Sequence, residues 1–233
     1  MTPRDAIEVA GADATDYLQG QLSQDIAALG DGEIVWSLIL DPGGKVDSWV
    51  RVQRLAERRY LLDVEGGFVE ALIARLERFR LRVDVTIQPT DAVIDAPLDW
   101  PGLTGDDERT RILAGLPRLG AELTADTIPA EAGSTLIERS VSFTKGCYTG
   151  QELVARVDSR GGNVPRPVRL LRAADASAVL AVGDEIVADG AVVGTVTSAA
   201  GDVALAPVAR KVEPGRTVQV AGVDAVGSVP GGN

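Results

Sequence analysis

At 233 residues and 45% apolar side chains the chain is long enough to bury a sizeable core, while a net charge of −11 argues against bulk binding to phosphate backbones or anionic membrane surfaces. There is no histidine and one cysteine, which excludes a Cys-His or Ser-His dyad, an imidazole metal site and an internal disulfide. Glycine is high at 26 residues and aromatic content low at 4%, so turn-rich β structure is favoured over a bundle of long helices. Residues 1–5 lead into no apolar stretch of the secretory type, and the longest apolar run, Ile34–Leu40, is about a third of the ~20 residues a membrane span needs. The expected location is a reducing cytoplasm.

Residues 4–10 read as an opening strand. Leu18, Leu22 and Ile26 recur at the spacing of a buried helical stripe, which predicts a helix starting at Asp13 or Thr15 and weakened by Gly20. Residues 33–40 and 45–55 form a hairpin by pattern, with Asp41-Pro42-Gly43-Gly44 as its turn, and residues 60–64 follow as a third strand. Phe68, Val69, Leu72, Ile73, Leu76 and Phe79 mark an amphipathic helix, and the alternation from Leu81 to Gln88 predicts a further strand. This order reads as an α+β layer, one sheet covered by helices on one side. Residues 89–127 give no assignable pattern. Asn163-Val164-Pro165-Arg166-Pro167 marks a boundary between a region 1–163 and a region 164–233. Short strands at 168–171, 185–187, 191–197, 203–208 and 217–220 predict a small C-terminal β-barrel, with residues 222–233 as a loose tail.

The chemistry concentrates in Thr144-Lys145-Gly146-Cys147-Tyr148-Thr149-Gly150-Gln151-Glu152. Thr149 and Glu152 have the spacing of a capping box that opens a helix. Gly146 and Gly150 permit positive φ or close approach of backbone to a ligand. Lys145 and the positive end of the helix both favour a thiolate at Cys147. Two readings of Cys147 are open, a small buried apolar side chain or a reactive thiol, and its neighbours favour the second. Between Arg139 and Arg172 seven basic residues face two acids, Glu152 and Asp158, which points to capture of a small anion or to a solvated charged face. Glu131 reads equally as a capping carboxylate and as a ligand.

Lys145-Gly-Cys-Tyr-Thr-Gly-Gln-Glu152, continuing to Ala155-Arg156, resembles the signature of the YgfZ family of folate-binding proteins, relatives of the glycine-cleavage T-protein (GcvT). Residues 11–25, 128–131 and 190–198 are similar to other parts of that family, so the resemblance covers most of the chain outside 89–127. It implies GcvT/YgfZ-like α+β folate-binding domains followed by a small β-barrel. It further implies that tetrahydrofolate or a derivative binds and that the protein supports iron–sulfur enzymes, including those that modify tRNA. Cys147 would be the reactive thiol. Lys145, Gly146, Tyr148, Gln151, Glu131, Arg156 and Arg160 would form the folate site, the two arginines clamping the glutamate tail. Two departures from the T-protein enzymes argue against aminomethyl transfer: Ser48 stands beside Asp47 where they carry a catalytic aspartate, and Leu113 stands where they carry a pterin-binding glutamate. The alternatives are a folate-dependent aminomethyl or methyl transferase using Asp47, and a noncatalytic module in which the cysteine loop is a tight turn.

Overall fold

In the computed structural model, residues 3–230 are described. In chain order the elements are β1 (Arg4–Ala10), α1 (Ala14–Gln21), β2 (Ile34–Leu40), β3 (Val46–Ala56), β4 (Arg59–Glu65), α2 (Val69–Arg78), β5 (Thr86–Thr90), α3 (Glu108–Leu113), α4 (Ser134–Ser140) and α5 (Gln151–Ser159). Then follow β6 (Val168–Ala173), β7 (Glu185–Ala188), β8 (Ala191–Thr195), β9 (Ser198–Ala200), β10 (Val203–Pro207), β11 (Thr217–Val220) and β12 (Val223–Ser228). The chain separates into two compact units: residues 3–96 with 136–159, and residues 97–135 with 160–230. Residues 97–135, expected with the first region, therefore cluster with the C-terminal sheet. No helix among the described residues is long and apolar enough to cross a membrane.

The first unit is built on an antiparallel sheet in the order β2-β3-β4-β1-β5. Leu72 and Leu76 of α2 are buried, as the four-residue apolar spacing requires. Arg75 and Arg78 in its last turn face the negative end of its dipole. Tyr17 of α1 donates to the Leu76 carbonyl at 2.6 Å, tying the two helices together. Along β3 the side chains alternate between sheet faces. Trp49 stacks on Trp36 at 4.1 Å and donates its indole N–H to Ser140 Oγ. On the same strand Arg51 forms a buried ion pair with Asp63, which also takes Arg4 at 2.8 Å. The strand expected over 81–88 lies further on, at Thr86–Thr90, paired with β1. Leu81 is exposed and Arg82 has a φ of 57°, so the alternation there belongs to an irregular connection that bends at Arg82. Pro89 is tolerated because β5 is an edge strand.

The second unit carries a seven-stranded antiparallel sheet, β8-β7-β11-β12-β6-β10-β9. It curls until Gly194 in β8 bridges Val208 just past β10, a half-barrel over an apolar core that includes Leu171, Ile186, Val193, Val208 and Val220. The tail expected from residue 222 is in fact β12, an interior strand hydrogen-bonded to both β11 and β6. Residues 231–233 of that expected tail lie outside the described residues. The unassigned middle section docks on this sheet. Ile112 of α3 packs with Val168, Val203 and Leu205. The fully buried Glu122 carboxylate accepts from Thr197 and Ser198 hydroxyls at 2.6 and 2.7 Å and pairs with Arg111. Such a packing is polar and distant in sequence, so hydrophobic period cannot reveal it.

Candidate functional site

The cysteine loop is folded across the carboxyl end of α1. That helix is eight residues long, holds Gly20, and has no basic residue in its last turn, so its final carbonyls need partners from elsewhere. Those of Gln19 and Gly20 find them in residues 142–149, as do the carbonyls of Leu22, Ser23 and Gln24 just beyond the helix. Ser142 N–H donates to Ser23 O at 3.0 Å and Thr149 N–H to Gly20 O at 3.1 Å. Between these two bonds, Lys145 Nζ donates to the carbonyls of Gln19, Leu22 and Gln24 at 2.7, 2.6 and 2.9 Å. An ammonium has three hydrogens, and all three are directed at backbone oxygen. Burial pulls the Lys145 ammonium down to about 8 against the opposing field of Asp25. The ammonium also lies 5.2 Å from the Tyr148 ring centroid, and burial pushes the half-buried Tyr148 hydroxyl up to about 12.

On its other side the loop is locked to the β2–β3 turn by two glycines. Gly44 and Gly150 have φ values of 85° and 81°, the left-handed region that favours glycine. A Cβ on Gly150 would stand 2.5 Å from Asp41 O, and one on Gly44 would stand 2.5 Å from Leu153 Cβ. The two glycine-containing motifs are thus the two sides of one backbone crossing. Gly146 differs from both, with an ordinary φ and nothing within 4 Å of an added Cβ. The expected Thr149–Glu152 capping box is not how α5 begins. The helix starts at Gln151, whose Oε1 accepts from Tyr148 N–H at 3.1 Å.

Between these anchors Cys147 is exposed. The structure therefore does not place it among buried apolar side chains. Arg156 in α5 and Arg160 just beyond it are exposed, and among the described residues neither makes an ion pair. Glu131 belongs to the other unit and is buried; its two oxygens accept from Ile128 and Arg166 N–H, each at 3.1 Å. Of the two readings held open for it, the capping carboxylate is the one its bonds describe. Leu113 is packed against the apolar cluster of Ile112 and Leu205. Asp47 is at the surface and pairs with Arg75 at 2.8 Å, whereas the Ser48 hydroxyl is buried with no hydrogen-bond partner.

Tetrahydrofolate carries a pterin and an anionic glutamate tail, and the residues present fit the two parts differently. Arg156 and Arg160 present guanidinium groups suited to carboxylates. Lys145, Gln151 and Glu131, expected to grip the ligand, already hold backbone. A cleft of about 560 Å³ in the first unit is lined by Arg4, Asp5, Val69, Thr90 and neighbours, and one of about 250 Å³ in the second by Glu122, Thr127, Glu131, Arg166 and Thr197. Cys147 lines neither of these. Among the described residues no group of three or more acidic or cysteine side chains is arranged to hold a metal ion. Sequence reasoning missed the role of residues 19–24 as acceptors, whose only local signal is the absence of a basic residue at the end of α1.

No family model matches the chain. It is similar to an uncharacterized protein of Haemophilus influenzae, 30% identical, with 70% of this chain and 69% of that one covered. It is also similar to proteins named tRNA-modifying protein YgfZ from an Enterobacter species (29% identical, covering 66% of this chain and 65% of that one) and from Yersinia pestis (29%, covering 77% and 72%). The chain thus spans about two thirds of the length of these curated relatives. Among solved structures, the glycine cleavage system aminomethyltransferase T of Bartonella henselae matches with a TM-score of 0.78 at 19% identity, covering 97% of this chain and 82% of that one. That likeness shows a shared fold.

Proposed function

This chain belongs to the YgfZ/GcvT-like family, and on that premise we propose that it is a cytoplasmic folate-binding protein that supports iron–sulfur enzymes, among them enzymes that modify tRNA. The observation that carries this reading is Cys147, exposed on a loop that is anchored on both sides, in a chain whose relatives are named tRNA-modifying proteins. An exposed thiol in fixed surroundings is chemically usable, where a buried one is inert. A single thiolate cannot hold a cluster, for which about four ligands are needed, so its part is a supporting one. In this reading the exposed guanidiniums of Arg156 and Arg160 meet the carboxylates of the folate tail, while Lys145, Gln151 and Glu131 maintain backbone shape. The C-terminal half-barrel is read as the family's barrel module.

The test pairs two measurements. Cys147→Ala is expected to abolish rescue of iron–sulfur-dependent tRNA modification in a deletion strain while leaving the fold intact; full rescue refutes the assigned role. Calorimetry with tetrahydrofolate is expected to show binding that weakens at least about tenfold in an Arg156→Ala, Arg160→Ala double variant, and no heat at millimolar ligand removes the folate half of the proposal. A folate-dependent transferase is the second reading, favoured by the surface carboxylate of Asp47 beside Arg75. Turnover of an aminomethyl donor that is lost in Asp47→Asn would establish it instead.

A further inference from the structure

Resting on that reading of Cys147, we propose that Lys145 is a positioning residue: it fastens the cysteine loop to the carboxyl end of α1 and so fixes where the thiol stands, without acting on the sulfur itself. A lysine two positions before a cysteine suggests an electrostatic partnership. The geometry assigns the lysine elsewhere. Its three hydrogens go to Gln19, Leu22 and Gln24 oxygens, which leaves no N–H for a thiolate or a ligand carboxylate.

Its positive charge faces the negative end of α1, a helix that supplies no basic residue of its own there. Together with the Ser142 and Thr149 amides, it satisfies five carbonyls within residues 19–24. Because these acceptors lie more than 120 positions before Lys145, the contact closes a long loop that local preferences of residues 142–149 would not hold. The chemistry also specifies the residue type. Three oxygens converging on one nitrogen suit an ammonium, whereas a planar guanidinium directs its hydrogens outward in a fork. Arginine would keep the charge and lose the fit.

That difference separates positioning from electrostatic activation. In the full-length chain, hydrogen exchange over residues 142–151 and the pH profile of iodoacetamide alkylation of Cys147 are compared for wild type, Lys145→Met and Lys145→Arg. Both variants are expected to exchange at least about tenfold faster over that segment while β3 and β4 keep their protection. The alkylation rate should change in both, with the pH of half-maximal rate unmoved. If Lys145→Arg matches wild type while Lys145→Met moves that pH upward, the lysine acts through charge on sulfur and the proposal fails. Should the variants not fold, nitrogen-detected spectra of the wild-type Lys145 ammonium decide. Slow hydrogen exchange and couplings to the carbonyl carbons of Gln19, Leu22 and Gln24 are expected, and exchange as fast as that of surface lysines overturns the assignment. Full rescue by Cys147→Ala would remove the proposed function yet leave these readouts intact, so the two failures are distinguishable.

Discussion

Replacing Gly150 by alanine tests the backbone crossing on which the cysteine loop depends. Two penalties combine in the variant. A left-handed φ of 81° costs an L-residue roughly 1–2 kcal/mol. The new methyl, built 2.5 Å from Asp41 O and 2.7 Å from Leu40 Cβ, must push apart two tightly packed backbones, which costs roughly 1–3 kcal/mol. The expected destabilisation is therefore about 2–5 kcal/mol, read by urea unfolding at neutral pH. Gly44→Ala presses on the same crossing from the other side, 2.9 Å from Gly150 O. Once one substitution has opened the crossing the second costs less, so the double variant should fall short of additivity by more than about 0.5 kcal/mol. Gly146→Ala is the internal control, since open space surrounds it, and it should stay within about 0.5 kcal/mol of wild type. A Gly150→Ala variant as stable as wild type, or a Gly146→Ala variant as costly as Gly150→Ala, would refute the reasoning.

Glu122→Ala should destabilise the C-terminal unit by roughly 1–3 kcal/mol, because it removes the acceptor of the buried Ser198 hydroxyl and of the Arg118 N–H, while Arg111 keeps Glu108 and the Leu116 carbonyl and Thr197 keeps the Leu205 carbonyl; a midpoint in urea unchanged from wild type would contradict this. Burial pushes the Tyr17 hydroxyl up to about 12 from an ordinary value of 10.0. Its contribution to stability is therefore intact below pH 10 and lost as pH rises through 12. Wild type should lose thermal stability more steeply than Tyr17→Phe across that interval, and parallel curves would show that the burial has no such effect. Ending the chain at Gly222 removes β12 from between β11 and β6 and should lower exchange protection in Val168–Ala173, which is left with β10 as its one neighbouring strand; undiminished protection there would mean the sheet does not need that strand.

The sequence by itself determined the local elements. Local pattern located β1, β2, β3, β4 and α2, because a residue's face in a strand or helix follows from its own neighbours; the start of α1 was legible too, but the helix ends at Gln21, so Leu22 and Ile26 of its expected stripe are buried beyond it. The turn at residues 41–44 was legible for the same reason, since proline and glycine restrict or free the backbone where they stand. The cysteine motif was legible as a family resemblance. What each of its residues does was not. Lys145 meets carbonyls more than 120 positions earlier in the chain, Gly150 is required by the approach of Asp41, and Glu131 is held by the Arg166 amide. Sequence spacing carries no record of such partners. The same limit hid β12, whose alternation became a strand only because β11 and β6 lie on either side of it, and the docking of residues 97–135, which rests on Glu122 meeting Thr197 and Ser198. Backbone preference is a property of a few adjacent residues. The partner of a buried donor or charge is decided only when distant segments are brought together, and that decision belonged to the tertiary structure.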